Sequence, residues 1–403
     1  MKTRLPILFI MITLVIDAMG IGLIMPVMPD LIRELRNTDL ASAALWGGVL
    51  ATSFAVMQFL FSPTVGNLSD RFGRRRVLLV SLFFMTLDYL VMAVAGTIWL
   101  LLAGRIVGGI TAATQSTATA YMADISTAKD KAKNFGLVSA AFGIGFVLGP
   151  LIGGLLSIFG PRAPFYAAAA LAAANFIFGY FILPETVTDA IRRPFVWRRA
   201  NPLGAFKHIS RLPKLKALMT VHFLYSIAFF VYPAIWAYFT RERFGWDGLM
   251  VGYSLAAYGI SIVLVQGVLI GLIVHRIGEV KTVLLGLSIN MISFFTLATI
   301  PNGWIVLAMT PFNALGTITG PALLAIMSRA ADDNQQGELQ GLLGSVGSIG
   351  MILSPILMTQ TFSYFSSANA PVYMPGAPFL LSMVLIAICL GIYLSANKPR
   401  RVL

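Results

Sequence analysis

A single cysteine, Cys389, rules out disulfides within the chain and thiolate metal centres. Histidine is almost as scarce. The three present never fall in an HExxH-type spacing, and no nucleophile–base pairing stands out, so no enzyme is expected. Charge is the third shortage. Only 11% of the 403 residues are charged, against about 25% in soluble domains, which excludes a packed soluble protein of this length. What fills the chain instead is apolar: 58% of residues, with a mean hydropathy of +0.83.

The apolar residues come in runs. About 20 in succession cross a bilayer as a helix, and the sequence supports roughly twelve such spans. They fall near 6–29, 43–68, 77–95, 98–121, 133–158, 163–183, 214–240, 249–273, 281–299, 303–327, 338–362 and 376–396. The expected fold class is an all-α integral membrane protein. The first run follows Lys2 and Arg4 but is too long for a signal peptide, and it carries Asp17 and prolines, so it reads as a retained helix.

The net charge of +13 does not point to nucleic acid, because the bases sit in the links between spans. Asp70 with Arg71, Arg74, Arg75 and Arg76 follows span 2. Arg192, Arg193, Arg198, Arg199, Lys207 and Arg211 follow span 6, and Lys398, Arg400 and Arg401 end the chain. Among the links after odd-numbered spans, those after spans 3, 9 and 11 hold no charge, that after span 5 only Arg162, and that after span 1 is about neutral. The positive-inside bias places both termini and the basic links in the cytoplasm, beside anionic lipid. An interfacial helix is expected around 202–211, where apolar and basic residues alternate.

The halves repeat at one offset. Gly66 and Gly271, Gly73 and Gly278, Trp99 and Trp304, Gly136 and Gly341, and Pro150 and Pro355 are all 205 residues apart. Two six-span bundles follow, 1–183 and 214–403, joined by the basic linker 184–213. Doubled bundles with a site at their interface are a transporter architecture. The second copy of the charged turn, GLIVHRIGEVKTV, keeps its glycines but replaces the aspartate with His275.

In GNLSDRFGRRR, Gly66 and Gly73 allow close approach and a tight turn. Asp70 can accept from cationic neighbours or face a helix N-terminus near 336–340, and Arg71 or Arg74 can pair with Asp124. In GFVLGPLIGG, Gly145, Gly149, Gly153 and Gly154 place small residues at helical spacing around Pro150, giving a smooth face between the halves. Asp17, Asp88 and Arg105 are the acidic or arginine residues inside spans, where ionisable groups are costly and usually functional. Asp17 reads as a proton carrier or as a hydrogen-bonded structural carboxylate; Asp88 and Arg105 read as a buried pair or as a relay. His222, 205 residues after Asp17, reads either as a coupling partner or as a packed histidine. Gln58, Tyr89, Met92, Gln115, Tyr225, Phe229, Phe230, Tyr232, Trp236, Gln266, Asn290 and Asn313 together suit the wall of an amphipathic cavity.

These stretches resemble signatures of the major facilitator superfamily. GNLSDRFGRRR is similar to its cytoplasmic turn between helices 2 and 3. GFVLGPLIGG resembles the helix 5 motif of its twelve-helix drug:proton antiporters, and LLAGRIVGGI their helix 4 arginine motif. DAMGIGLIMPVMP, LDYLVMA, ERFGWDGLMVGYSLA and GELQGLLGS are similar to tetracycline exporters. The resemblance implies alternating access, a latch between halves at Asp70 and its arginines, and proton coupling through Arg105. It implies a proton gradient and no cofactor. It departs where those exporters carry a helix 9 acid, a helix 8 histidine and a helix 7 glutamine; here stand Asn290, Ile262 and Phe230. Those positions handle drug–metal or protons in the exporters, so a solute other than a tetracycline–metal complex is expected. The expected function is efflux of small amphiphiles from the bacterial inner membrane by a monomer. The alternative is a facilitator or proton symporter for an organic or lipid-like solute.

Overall fold

The computed structural model describes residues 4–112, 114–127, 129–189, 192–204, 215–332 and 335–396, all of them helix, turn or irregular chain. The expected interfacial helix around 202–211 lies largely outside the described residues. The chain forms two compact units: Met1–Asp39, Ser53–Pro202 and Asp247–Ala256 in the first, and Leu40–Thr52, Leu203–Trp246 and Ala257–Leu403 in the second. Relative to the boundaries expected at 183 and 214, two helix ends change sides, and 184–202 joins the first unit.

In the first unit, α1 (Arg4–Ile24) is followed by the short α2 (Met28–Arg36), α3 (Leu40–Phe72), α4 (Arg74–Val94), α5 (Ile98–Thr111), α6 (Thr114–Ile125), α7 (Lys131–Leu156) and α8 (Ala163–Ile182). These segments are helical because lipid offers no partner for backbone N–H and C=O groups, and a helix satisfies its own. Helix α1 lies along α7 and α8, while α4 packs on α5, α6 and α8. Their core gathers Phe9, Ile10, Leu14, Leu78, Leu82, Tyr121 and Met122. The first span is shorter than the expected 6–29, because Gly22 to Val27 turn out of the helix before Pro29 starts α2.

The second unit is less regular, and several of its breaks lie just before a proline. Helices α9 (Lys216–Phe229) and α10 (Val231–Phe244) meet at Phe230, where Pro233 has no N–H for the Phe229 carbonyl. Helix α11 (Gly248–Leu264) runs through a π-turn, Val265–Leu269, into α12 (Ile270–Thr299). Gly278, at φ 76°, separates two spans within α12. The span expected as continuous over 303–327 is four pieces: α13 (Gly303–Ala308), α14 (Thr310–Leu315), a 3₁₀ turn at Gly316–Ile318 and α15 (Thr319–Ala330). Pro311 and Pro321 each remove a donor there. Helices α16 (Gln336–Ser366) and α17 (Ala377–Ala396) complete the unit. The start of α3 belongs to it because Gly47 and Gly48 lie against the Tyr238 ring and Thr359, and Thr52 Oγ1 donates to the Ile352 carbonyl at 3.1 Å.

The 205-residue repeat is visible in the backbone of each unit. Gly73 (φ 108°) and Gly278 (φ 76°) share a left-handed conformation that favours glycine. Thr97 caps α5 by accepting from the Leu100 amide, and Asn302, its counterpart, caps α13 by accepting from the Trp304 amide. Pro150 and Pro355 lie inside α7 and α16.

Candidate functional site

The charged turn after α3 folds onto its own unit. Arg74 is its hub: Nη1 pairs with Asp70 at 2.6 Å, and Nε with Asp124, at the end of α6, at 3.2 Å. Of the two expected partners for Asp124, Arg74 is therefore the one used; the Arg71 guanidinium sits over the Phe72 ring at 5.1 Å. Glu185 was missed in the sequence. Its Oε1 accepts from the Arg74 amide at 2.8 Å and from the Thr186 and Val187 amides at 3.0 and 3.1 Å. It thereby caps α4 from a distant segment, at an N-terminus where negative charge is favoured. The Glu185 carboxylate occupies the place a Cβ on Gly73 would need. Thr186 donates to Asp124 at 3.1 Å, Tyr121 to the Pro184 carbonyl at 3.0 Å, and Asn67 to the Val196 carbonyl at 2.8 Å. The segment after α8 is thus strapped across the turn. Gly66 does not serve the close approach expected of it, since a Cβ there would meet nothing within 4 Å.

The glycines of α7 pack chiefly on α1. A Cβ at Gly145 would reach the Val15 carbonyl and Ala18; at Gly149, Met19 and Gly22; at Gly153, Leu23. The expectation of a single face directed between halves is corrected accordingly. Three of the four glycines serve contact with the first helix, and Gly22 in turn meets Pro150. Gly154 alone faces α11, against Gly248 and Gly252. Spacing of three to four residues fits either neighbour, so the sequence left the partner helix undetermined.

Between α4 and α5, Arg105 is ion-paired with Asp88; both side chains are almost fully buried. The glycines flanking Arg105 explain how the carboxylate fits. A Cβ at Gly108 would stand 2.7 Å from Asp88 Oδ2, and one at Gly104 3.2 Å from Oδ1. The guanidinium lies 4.9 Å from the centre of the Phe54 ring. Among the described residues, Asp88 Oδ1 and Arg105 Nε have no hydrogen-bond partner. Asp17 makes no hydrogen bond or ion pair among the described residues; its electrostatic neighbour is Tyr89, whose hydroxyl takes the space beside Gly20. Met92 is fully buried, Gln58 donates to the Ala112 carbonyl at 3.4 Å, and Gln115 is exposed.

In the second unit the aromatic residues of α9 and α10 pack on one another. Tyr225 stacks on Phe229 at 5.8 Å, and Tyr232 lies 5.1 Å from Tyr258, 5.7 Å from Phe294 and 6.0 Å from Phe379. Trp236 joins the same cluster through Tyr232 and Phe379. Tyr258, Phe294 and Phe379 come from three other helices, a convergence no single run of sequence could reveal. The hydroxyls of Tyr232 and Tyr258, Oδ1 of Asn313 and Nδ1 of His222 are buried without a hydrogen-bond partner among the described residues. Asn290 is 1% exposed. Its Nδ2 donates to the carbonyls of Gly286 and Gly316, both at 2.9 Å. Gln266 lies exposed on the π-turn, and Phe230 at the break between α9 and α10.

A doubled set of apolar helices, broken in places by proline, with a buried ion pair and an unpaired carboxyl at membrane depth, defines a secondary membrane transporter. The Major Facilitator Superfamily model matches residues 10–355 and 219–401, and the chain belongs to that family. It is 41% identical over 382 residues to the class C tetracycline resistance protein of Escherichia coli, covering 94% of this chain and 96% of that one. It is 32% identical to multidrug resistance protein 2 of Bacillus subtilis, over 84% of each. Among solved structures, the nucleoside transporter NupG shares the fold, with a TM-score of 0.79 at 14% identity over 99% of this chain and all of that one.

Proposed function

We propose that this transporter exports small amphiphilic compounds in exchange for protons, by alternating access of its two bundles. The likeness to tetracycline and multidrug resistance proteins over most of the chain carries this reading. Within the first unit, Asp17 is the proton-binding group, free of any competing ion pair. The Asp88–Arg105 pair sets the charge of its surroundings, and His222 is the candidate coupling histidine of the second unit. The Asp70–Arg74–Asp124 network, tied to Glu185, holds the shape of the cytoplasmic turn from which a latch between the bundles would act. The protein works as a monomer in the bacterial inner membrane with both termini in the cytoplasm, needs no cofactor and catalyses no covalent chemistry. Its basic links rest on anionic lipid.

The aromatic cluster of the second unit, including Tyr225, Tyr232 and Trp236, would suit apolar and planar solutes better than sugars were it to open onto the transport path. Inverted membrane vesicles test the reading. Imposing a pH gradient should drive uptake of a fluorescent aromatic amphiphile, and Asp17→Asn should abolish it. Uptake that survives both Asp17→Asn and collapse of the gradient would leave a facilitator instead.

A further inference from the structure

Where α10 ends and α13 begins, the second unit has a recess of about 340 Å³ lined by Arg243, Phe244, Trp246, Pro301, Asn302, Gly303 and Trp304. Its shape follows from local rules. Gly245 (φ 67°) ends α10 in a left-handed cap, turning Trp246 back toward the start of α13. Gly303 has no side chain to hold that indole off; a Cβ there would lie 2.8 Å from Trp246 Nε1. Trp304, 71% exposed, extends the aromatic wall outward.

The side-chain polar groups left free in this recess are donors. Among the described residues Arg243 makes no ion pair, and the Trp246 indole N–H has no acceptor. Asn302 spends Oδ1 on the Trp304 amide at 2.9 Å, which leaves its Nδ2 free to donate. The two acids nearby in the chain are engaged elsewhere. Glu242 accepts from the Tyr373 hydroxyl at 2.7 Å, and Asp247 caps α11 by accepting from the Met250 amide at 2.8 Å. Burial first, and the bond to Glu242 second, hold the Tyr373 phenol up to about 12, so that bond persists across the physiological range. The first unit handles its comparable cation differently: Arg162 pairs with Glu34 at 3.1 Å and donates to the Ala93 carbonyl.

We propose that this recess binds the phosphate of an anionic phospholipid, with Arg243, Trp246 Nε1 and Asn302 Nδ2 as its donors and Trp304 beside the glycerol region. Indoles belong at the headgroup level of a bilayer, and a guanidinium matches a phosphodiester in shape and charge. Both links that form the recess follow odd-numbered spans. The loop-charge topology therefore places it in the outer leaflet, opposite the basic links that meet lipid on the cytoplasmic side. The site is independent of what the transporter carries.

The test uses the purified full chain, with native mass spectrometry and thermal unfolding in detergent supplemented with phosphatidylglycerol or phosphatidylcholine. Wild type should retain phosphatidylglycerol and gain thermal stability from it over phosphatidylcholine. Asn302→Asp keeps the capping oxygen but turns the free donor into an anion, so it should fold normally and lose retention about tenfold, a factor worth 1.4 kcal/mol. Arg243→Gln should do the same, and Arg243→Lys should restore part of it. Undiminished phosphatidylglycerol retention in both Asn302→Asp and Arg243→Gln would overturn the proposal. So would equal retention of phosphatidylcholine, or displacement of the lipid by millimolar inorganic phosphate, which would mark a free-anion site.

Discussion

Asn290 of α12 holds the broken span of the second unit together: its amide donates both to Gly286 in its own helix and to the Gly316 carbonyl at the 3₁₀ turn, each at 2.9 Å. Thr319 Oγ1 lies 3.4 Å from the same nitrogen and itself bonds to the Gly316 carbonyl at 2.9 Å. Gly316 and Gly286 leave room for these groups, since a Cβ at either would run into the Asn290 amide or the Thr319 hydroxyl. Asn290→Leu should lower thermal stability by about 1–3 kcal/mol, the cost of leaving buried carbonyls unpaired. Asn290→Asp is the sharper variant. A protonated carboxyl retains one donor for the Gly316 carbonyl, whereas a carboxylate has none and faces two acceptors. The unfolding temperature of that variant, compared with wild type at the same pH, should lie closest to it below about pH 4 and fall progressively behind as pH rises above that. Equal curves for the two proteins would show that the staple does not hold the turn.

The buried Asp88–Arg105 pair yields a coupling prediction. Removing one partner strands a charge at membrane depth, which costs about 3–5 kcal/mol in buried pairs. Asp88→Ala and Arg105→Ala should each unfold at markedly lower temperature, and the double variant should be less damaged than the sum of the two. Gly108→Ala should behave like a weak version of Asp88→Ala, because its methyl would press on the carboxylate. A thermal-shift double-mutant cycle with no interaction energy would contradict the pairing.

Glu185 gives a prediction at the cytoplasmic turn. Glu185→Ala removes the acceptor shared by three amides and should cost about 1 kcal/mol, as lost helix caps do. It should also expose the 184–200 segment to limited proteolysis. Gly73→Ala should be worse, because it adds strain at φ 108° to the clash with the Glu185 carboxylate. Protease resistance unchanged in both variants would remove Glu185 from the strap.

How much of this was legible beforehand depended on whether the signal was local. Helical class and the repeat were written in runs of apolar residues and in glycine and proline at a fixed offset, and Gly73 and Gly278 carry the predicted kinship into their φ angles. Arg105 with Asp88 was readable because two opposite charges were nearly alone in neighbouring spans. Glu185 was not, because it lies 111 residues from the amide it caps, and nothing in a PET tripeptide states which helix end it will meet. The break over 303–327 could have been suspected from Pro311 and Pro321, but hydropathy averaging passes over single missing donors. The Tyr232 cluster draws on four helices, and only tertiary packing assembles it.

The glycines of α7 provide a positional contrast within one helix. Gly145 and Gly149 leave no room for a methyl, because α1 approaches their backbone; Gly143, two residues before, has nothing within 4 Å of where its Cβ would stand. Replacing Gly149 with alanine must therefore push α1 away or distort α7, since the opposing atoms are the Met19 carbonyl and the Gly22 Cα rather than a flexible side-chain tip. Overpacking of this kind costs about 1–3 kcal/mol. It falls on the helix that carries Asp17, so transport should suffer along with stability. Gly143→Ala adds only a lipid- or solvent-facing methyl and slightly favours the helix. Parallel thermal unfolding and vesicle uptake should separate the two, with Gly143→Ala near wild type and Gly149→Ala and Gly145→Ala impaired in both. Equal behaviour at 143 and 149 would mean that α1 does not pack against this stripe.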